Sequence, residues 1–398
     1  MPNAVIVDAV RTAGGKRNGR LSGWHPADLA AETLKALTER NGLDPALVDD
    51  VIMGCVMQVG AQALNIARNA VLAAGFPESV PATTVDRQCG SSQQSLHFAA
   101  QGVMAGAYDV AIAAGVEVMS LVPMGASLAA PNVGRAFGPR VEQRYKGAGG
   151  LVPQGISAEM IADRWGLSRE DLDEFGARSQ QLAARATEEG RFEREIVSVP
   201  ARVHDRESGK ILETGELVER DDGIRPGTTA ETLAALKPAF KPDGKVTAGN
   251  SSQITDGASA VLVMSEERAT SLGLTPRARF HAFALAGVDP VTMLTGPIPA
   301  TTKVLERAKL ELDDIDLVEI NEAFASVVLA WAAEHHPDME RVNVNGGAIA
   351  LGHPLGASGT KLAATLLNEL ERSGGRWGLL TMCEGGGLAN ATVIERLG

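Results

Sequence analysis

A duplicated α/β fold interrupted by one long insertion is the architecture this sequence predicts, on three observations. One succession of helices and strands occurs twice in the 398 residues. Between the two copies, roughly Leu121 to Gln253 fits neither. The composition, 44% hydrophobic with 44 Gly and only 4% aromatic residues, suits a tight core of Ala, Val, Ile and Leu. A period of half a chain is far too long for a solenoid.

The first copy opens with Met1-Pro-Asn-Ala-Val-Ile-Val-Asp8, a strand followed by a turn. An amphipathic helix (Ala27 to Asn41) leads through Gly-Leu-Asp-Pro to the apolar strand Val48 to Met53, entered by two aspartates. A helix (Ala63 to Ala74) and a short strand (Ala82 to Gly90, apolar from Pro81 to Val85) follow, the strand running into a Gly/Ser turn. In Ser91 to Met104 the residues Leu96, Ala99, Ala100, Val103 and Met104 recur at helical spacing, and Asp109 to Gly115 closes the unit as a strand. The second copy has the strand Arg277 to Ala286, the helix Thr301 to Lys309, the strand Ile315 to Ile320 and the helix Ala323 to His335. A short strand, Arg341 to Gly347, then enters another Gly-rich turn, before a helix (Thr360 to Glu371) and the strand Trp377 to Met382. The insertion holds Gly/Pro-rich loops (Pro123 to Pro153), a charged helix (Ser168 to Glu189) and an acidic hairpin-like stretch from Asp205 to Asp222. Loop-rich insertions of this size are commonly functional lids. The chain divides into a first half of residues 1–121 plus 254–275, an insertion of 122–253, and a second half of residues 276–398.

Charge and cysteine usage exclude several classes. A net charge of −12 argues against nonspecific nucleic-acid binding. Cys55, Cys89 and Cys383 are too few and scattered for a disulfide framework, and the seven histidines lack metal-ligand spacing. His335-His336 reads as a helix end before Pro337. No apolar run reaches membrane-spanning length, and neither terminus resembles a common address signal, so a soluble, cytoplasmic protein is expected.

The chemistry concentrates in three places. Val85-Asp-Arg-Gln-Cys-Gly-Ser-Ser92 puts Cys89 near the first N–H groups of a helix, a setting expected to favour the thiolate, with small neighbours admitting a substrate. From that stretch alone an inert buried thiol is equally consistent. His353 stands in the glycine-rich run from Asn343 to Gly359, fixed by Pro354 and flanked by Gly352 and Gly356. Thr381-Met-Cys-Glu-Gly-Gly-Gly387 ends a strand with a second thiol and three glycines whose N–H groups can face an anion. Together Cys89, His353 and Cys383 supply nucleophile, base and acid for acyl transfer through a thioester.

Gln-Cys89-Gly-Ser-Ser, Asn321-Glu-Ala-Phe-Ala325, Gly352-His-Pro-Leu-Gly-Ala-Ser-Gly359 and Cys383-Glu-Gly-Gly-Gly387 together resemble the thiolase family, the acetyl-CoA acyltransferases, over essentially the whole chain. The resemblance implies a five-layer αβαβα fold with an inserted lid. It implies Cys89 as the acylated nucleophile, His353 as the acceptor of its proton, and Cys383 as the proton shuttle at the α-carbon of the acetyl unit. Two oxyanion sites are implied, one of His353 with a water held by Asn321, the other of the Cys89 and Gly385 N–H groups. Asn321 has a competing reading as a helix cap. By the same resemblance Arg225 contacts the nucleotide of CoA, Ser252 its pantetheine, and Ala323 and Phe324 form an apolar wall; Glu322 and Asp256 are structural. CoA is then a co-substrate rather than a bound cofactor, no metal is needed, and a homodimer or homotetramer is expected.

Two departures bear on substrate. Pro153-Gln154-Gly155 stands where short-chain members usually carry His-Met-Gly, and Glu384 replaces an aliphatic residue. The resemblance leans toward degradative 3-ketoacyl-CoA thiolases, some of which act on steroid side chains, with a pocket enlarged by loss of the Met. The alternative is a short-chain acetoacetyl-CoA thiolase. A ketoacyl synthase usually has a histidine near the Asn321 position and no second cysteine; a non-catalytic acyl-CoA-binding relative would be expected to have lost one of Cys89, His353 and Cys383.

Overall fold

The computed structural model describes residues 2–129 and 134–398. Met1 of the expected first strand and residues 130–133 of the expected Pro123–Pro153 loops lie outside the described residues. The first unit runs β1 (Ala4–Thr12), β2 (Gly15–Lys16), α1 (Pro26–Asn41), β3 (Asp50–Gly54), α2 (Ile66–Ala73), β4 (Ala82–Val85), α3 (Ser91–Met104) and β5 (Val110–Val118). Next come α4 (Pro139–Tyr145), α5 (Gln154–Arg164), α6 (Arg169–Glu188), β6 (Ile196–Val197), β7 (Val199–His204), β8 (Ile211–Val218) and α7 (Ala230–Ala234). The chain rejoins the first sheet with β9 (Thr255–Ser265) and α8 (Glu266–Ser271). The second unit follows with β10 (Ala278–Gly287), α9 (Pro297–Ala308), β11 (Leu317–Ile320), α10 (Ala325–His335), α11 (Ala348–Leu351), α12 (Ser358–Ser373), β12 (Trp377–Glu384) and β13 (Leu388–Arg396).

Strand order bears out the duplication. In the first unit β4, β3 and β5 are parallel neighbours, followed by antiparallel β9 and β1. In the second, β11 and β12 are parallel, followed by antiparallel β13 and β10. The two sheets join at a short antiparallel contact, Val5 to Arg279 and Ile6 to Ala278. Helices α1 and α2 bury their apolar faces on one side of the first sheet, and α9 and α10 on one side of the second. Helices α3 and α12 fill the middle, with Leu96, Val103, Leu362 and Leu366 packed against Ile52 and Val261 of one sheet and Leu380 and Ile394 of the other. Five layers result, and α3 is buried almost all round, Gln93, Gln94, Ser95 and His97 included. The helices meet closely because position 359 is glycine: a Cβ there would lie 2.1 Å from the Gln93 backbone nitrogen.

One expected element differs. The strand foreseen over Arg341 to Gly347 is reduced to a short helical turn (Met339–Arg341) and isolated bridges, Val342 to Val318 and Val344 to Gly346. The cause is Asn343, in the left-handed region at φ 47°. Its side-chain amide replaces a strand partner, accepting from Ile320 N and donating to Ile320 O, both at 2.9 Å. The expected acidic hairpin is the β7–β8 pair, and the charged helix is α6, opened by a Ser168–Asp171 capping box.

The insertion is fastened to the core by a buried ion cluster. Arg11 of β1 donates to Glu195 Oε1 at 2.6 Å and to both oxygens of Asp221 at 2.8 and 3.0 Å. All three side chains are withdrawn from solvent. Burial pushes the Asp221 carboxyl up, but Arg11 and Lys361 outweigh it and hold the carboxylate ionised; burial raises Glu195 against the pull of Arg11.

Candidate active site

Cys89 lies in the turn between β4 and α3, buried beside Met57, Met119, Leu355 and Met382. The turn is tied by Gln88 at φ 48° and by the Ser91 hydroxyl, which donates to Gln88 O and accepts from Arg87 N. The expected low thiol is not what this setting produces. Burial, and then Glu384, push the Cys89 thiol up to about 12, although the Gln154 side chain and the Gly385 and Cys89 N–H groups act in the opposite sense. Helix α3 begins only at Ser91, and the N–H groups of Gly90 and Ser91 are spent on the carbonyls of Arg87 and Gln88. Nor do the small neighbours open a path for substrate: Gly90, Ser91 and Ser92 are buried. A Cβ on Gly90 would lie 2.0 Å from Glu384 Oε1, so that glycine accommodates the Glu384 carboxyl.

His353 follows α11 and Gly352. Its N–H donates to Thr255 Oγ1 at 3.0 Å, and the Lys361 ammonium holds the two preceding carbonyls, Leu351 O at 2.6 Å and Gly352 O at 2.9 Å. Glu117, on β5, accepts from the N–H groups of Gly356 and Val56, joining this loop to the first half. The ring's tautomer follows from its partners. His353 Nδ1 meets Ser358 Oγ at 2.5 Å, and that hydroxyl donates to Pro354 O at 2.8 Å. The hydroxyl proton is thereby used, so Nδ1 carries the ring proton and Nε2 keeps its lone pair, which faces the Asn321 amide at 3.4 Å. Burial, and then Lys361, bring His353 down to about 3: a neutral base.

Cys383 stands in β12 opposite Ala389 and is wholly buried. Burial, then Cys89, then Glu384 push its thiol well up, a neutral proton donor within electrostatic reach of the first cysteine. Asn321 does not cap a helix with its side chain; Phe324 is the N-cap of α10, and Asn321 Oδ1 is buried with no hydrogen-bond partner among the described residues. Glu322 is held by Ser179, Asn343 and Ile349 N. Asp256 accepts from Ser120 N, and burial pushes it up to about 6.

Ser252, Ala323 and Phe324 come together: Ser252 N donates to Ala323 O at 3.0 Å, Ser251 bridges to Phe324, and the Phe324 ring meets Phe240 edge-on at 5.9 Å. Arg225 is exposed, its backbone N–H bound to Gln180, which in turn donates to Ile349 O in α11. Among the described residues no group of three His, Cys, Asp or Glu is placed to hold a metal, and no helix is long and apolar enough to cross a membrane.

Models of the thiolase N-terminal domain and the thiolase C-terminal domain match residues 4–267 and 274–396. The chain belongs to the thiolase family. It is 50% identical to a steroid 3-ketoacyl-CoA thiolase of Mycobacterium tuberculosis, over 100% of this chain and 95% of that protein. It is 46% identical to a 3-ketoacyl-CoA thiolase of Bacillus subtilis, over 99% of this chain and 100% of the other. The crystal structure of an acetyl-CoA acetyltransferase from Bacillus anthracis superposes with a TM-score of 0.88 at 40% identity, covering 100% of this chain and 99% of that one. This thiolase is thus an acyltransferase by family.

Two residues make contacts at the candidate site that the sequence does not reveal. Ser358 lies five residues after His353, a spacing visible in Gly352-His-Pro-Leu-Gly-Ala-Ser358, but its service to Nδ1 requires the turn to be known. Gln154, first residue of α5, stands where loss of a Met suggests an enlarged acyl pocket, and in the fold its side chain also reaches the Cys89 thiol. Ser358→Ala removes the acceptor that selects the tautomer and should lower kcat about tenfold with little change in KM. Steady-state kinetics on a 3-ketoacyl-CoA checks this; an unaltered kcat would mean that Ser358 does not set the ring.

Proposed function

We propose that this thiolase cleaves 3-ketoacyl-CoA with CoA, giving acetyl-CoA and a shortened acyl-CoA, in acyl-chain degradation. The observation that supports the reading is a buried neutral imidazole, His353, on a loop whose Leu355 packs in one cluster with Cys89, while Cys383 lies within electrostatic reach of that thiol. His353 Nε2 takes the Cys89 proton as Sγ attacks the 3-keto carbon. The bond between the 2- and 3-carbons breaks, the acetyl-CoA enolate takes a proton from Cys383, and Cys89 keeps the acyl group. CoA then gives its thiol proton to Cys383 and attacks the thioester; the released Cys89 recovers its proton from His353. Every proton is returned, so no further co-reactant is needed.

Two oxyanion sites follow, His353 with a water on Asn321, and the N–H groups of Cys89 and Gly385. Residues 122–253 act as a lid between the halves, 1–121 with 254–275 and 276–398, and CoA lies along it. Arg225 serves the nucleotide and Ser252, Ala323 and Phe324 the pantetheine. The contact of the Ser252 loop with Ala323 and Phe324 supports that placement. A cytoplasmic homodimer or homotetramer without a tightly bound cofactor completes the reading.

The names of the relatives in Mycobacterium tuberculosis and Bacillus subtilis favour a degradative enzyme, and the first of them a bulky acyl chain. The structural likeness to an acetyl-CoA acetyltransferase keeps a short-chain enzyme as the second reading. Thiolysis of acetoacetyl-CoA beside a ring-bearing 3-ketoacyl-CoA, with Cys89→Ala as control, separates them. Higher kcat/KM on the bulky substrate is expected; preference for acetoacetyl-CoA selects the second reading, and turnover by the Cys89→Ala variant would remove both.

A further inference from the structure

We propose that Glu384 is a tuning residue that works as a neutral carboxylic acid beside the nucleophile, and that loss of its proton silences Cys89 in alkaline solution. This rests on the reading of Cys89 as the acylated residue.

The argument begins with hydrogen bonds. Glu384 ends β12 next to Cys383 and is fully buried, and neither carboxylate oxygen has a hydrogen-bond partner among the described residues. Asn390, on the neighbouring strand β13, spends its amide N–H on Gly90 O at 3.0 Å and leaves Oδ1 unpartnered too. Both side chains crowd the same backbone: a Cβ on Gly90 would lie 2.0 Å from Glu384 Oε1 and 2.8 Å from Asn390 Nδ2. A carboxylate is an acceptor only, and a buried, unpaired one is costly. One proton on Glu384 removes the charge and converts one acceptor of this group into a donor.

The surroundings supply one counter-charge, and it makes no hydrogen bond to the carboxylate. The loop ahead of Cys89 presents Arg87, which favours the anion without hydrogen-bonding it, and Asp86, which opposes it. Beyond these, Cys89 faces Glu384 from the loop, Cys383 flanks it on its own strand, and β13 offers the neutral Asn390. Burial dominates and pushes the carboxyl up to about 8. Below that pH the nucleophile sees a neutral acid. Above it, a negative charge stands beside a sulfur that must pass through the thiolate, and both cysteines are driven further up. Transfer of the Cys89 proton to His353 is then opposed, so turnover falls above that pH, and the thiolate population levels off instead of climbing as an ordinary thiol's does.

The same raised carboxyl acts on stability. Glu384 is neutral when folded and ionised when unfolded between about pH 4.5 and 8, so the fold loses stability as the pH rises through that window.

The experiment compares the full-length protein with Glu384→Gln, which mimics the neutral acid, and Glu384→Met, which removes both oxygens. Iodoacetamide labelling of Cys89, read by peptide mass spectrometry, and kcat/KM are followed from about pH 6 to 10. In the parent, turnover should fall above about pH 8 and labelling should level off there. In either variant the falling limb of turnover should move up by more than one pH unit or vanish, labelling should keep rising with pH, and the melting temperature relative to the parent should be higher at pH 9 than at pH 5. A falling limb that stays in place, or a parent that labels faster with rising pH throughout, overturns the proposal. Because labelling needs no turnover, a parent that cleaves no 3-ketoacyl-CoA would refute the proposed reaction while leaving the test of Glu384 intact.

Discussion

His353→Ala should lower kcat by about three orders of magnitude, with KM shifting only a few-fold. With the Cys89 thiol at about 12, only about one molecule in 10⁵ would carry a thiolate at pH 7 without help. The resting site does not store the ion pair either, since the imidazole is held at about 3. Proton transfer must accompany bond formation, with the N–H groups of Gly385 and Cys89 meeting the charge as it appears. Deleting the base leaves ionisation to solvent, so the residual rate of the variant should climb from about pH 6 to 8, before Glu384 ionises. Stopped-flow release of acetyl-CoA across that range measures both effects. A loss of tenfold or less would show that another group takes the proton.

The largest stability effect is expected at Arg11. Arg11→Met keeps an apolar stem but strands Glu195 and Asp221, both buried, without their cation. Breaking one side of such a cluster costs about 3–5 kcal/mol. Asp221 loses the partner that, with Lys361, keeps it ionised, and the Gly14 N–H is left bound to a carboxylate in need of a proton. Thermal melting should therefore show a fall of several degrees, greatest at neutral pH and smaller as acid protonates the stranded carboxylates. An unchanged melting temperature would mean that the insertion is held by its apolar contacts alone.

What the sequence disclosed, and what it hid, divides by distance along the chain. Helix α3 was legible because Leu96, Val103 and their neighbours repeat at its period, and the duplicated order of elements was legible from local patterns. Asn343 was not, because an amide standing in for a strand depends on where Ile320 lies in space. Arg11 meets Asp221 across 210 positions of sequence, which no local pattern reports. In the site, Cys89, His353 and Cys383 were marked by their glycine-rich settings. Their proton affinities were not, since burial reverses what a helix start near Cys89 would suggest. Glu384 stood out as an unusual residue, but its lack of partners belongs to Gly90 and Asn390, which reach it only in the folded chain.

The close contact of Gly359 with the Gln93 backbone has a mechanical consequence. Cys89 lies just ahead of one central helix and His353 shortly before the other, so in the proposed reaction the gap between nucleophile and base gauges how the two halves are aligned. Side chains between packed helices behave as springs that can re-seat by an ångström; backbone on backbone cannot. The glycine therefore works as a hard stop, fixing how closely the two central helices, and with them the two halves, are set against each other.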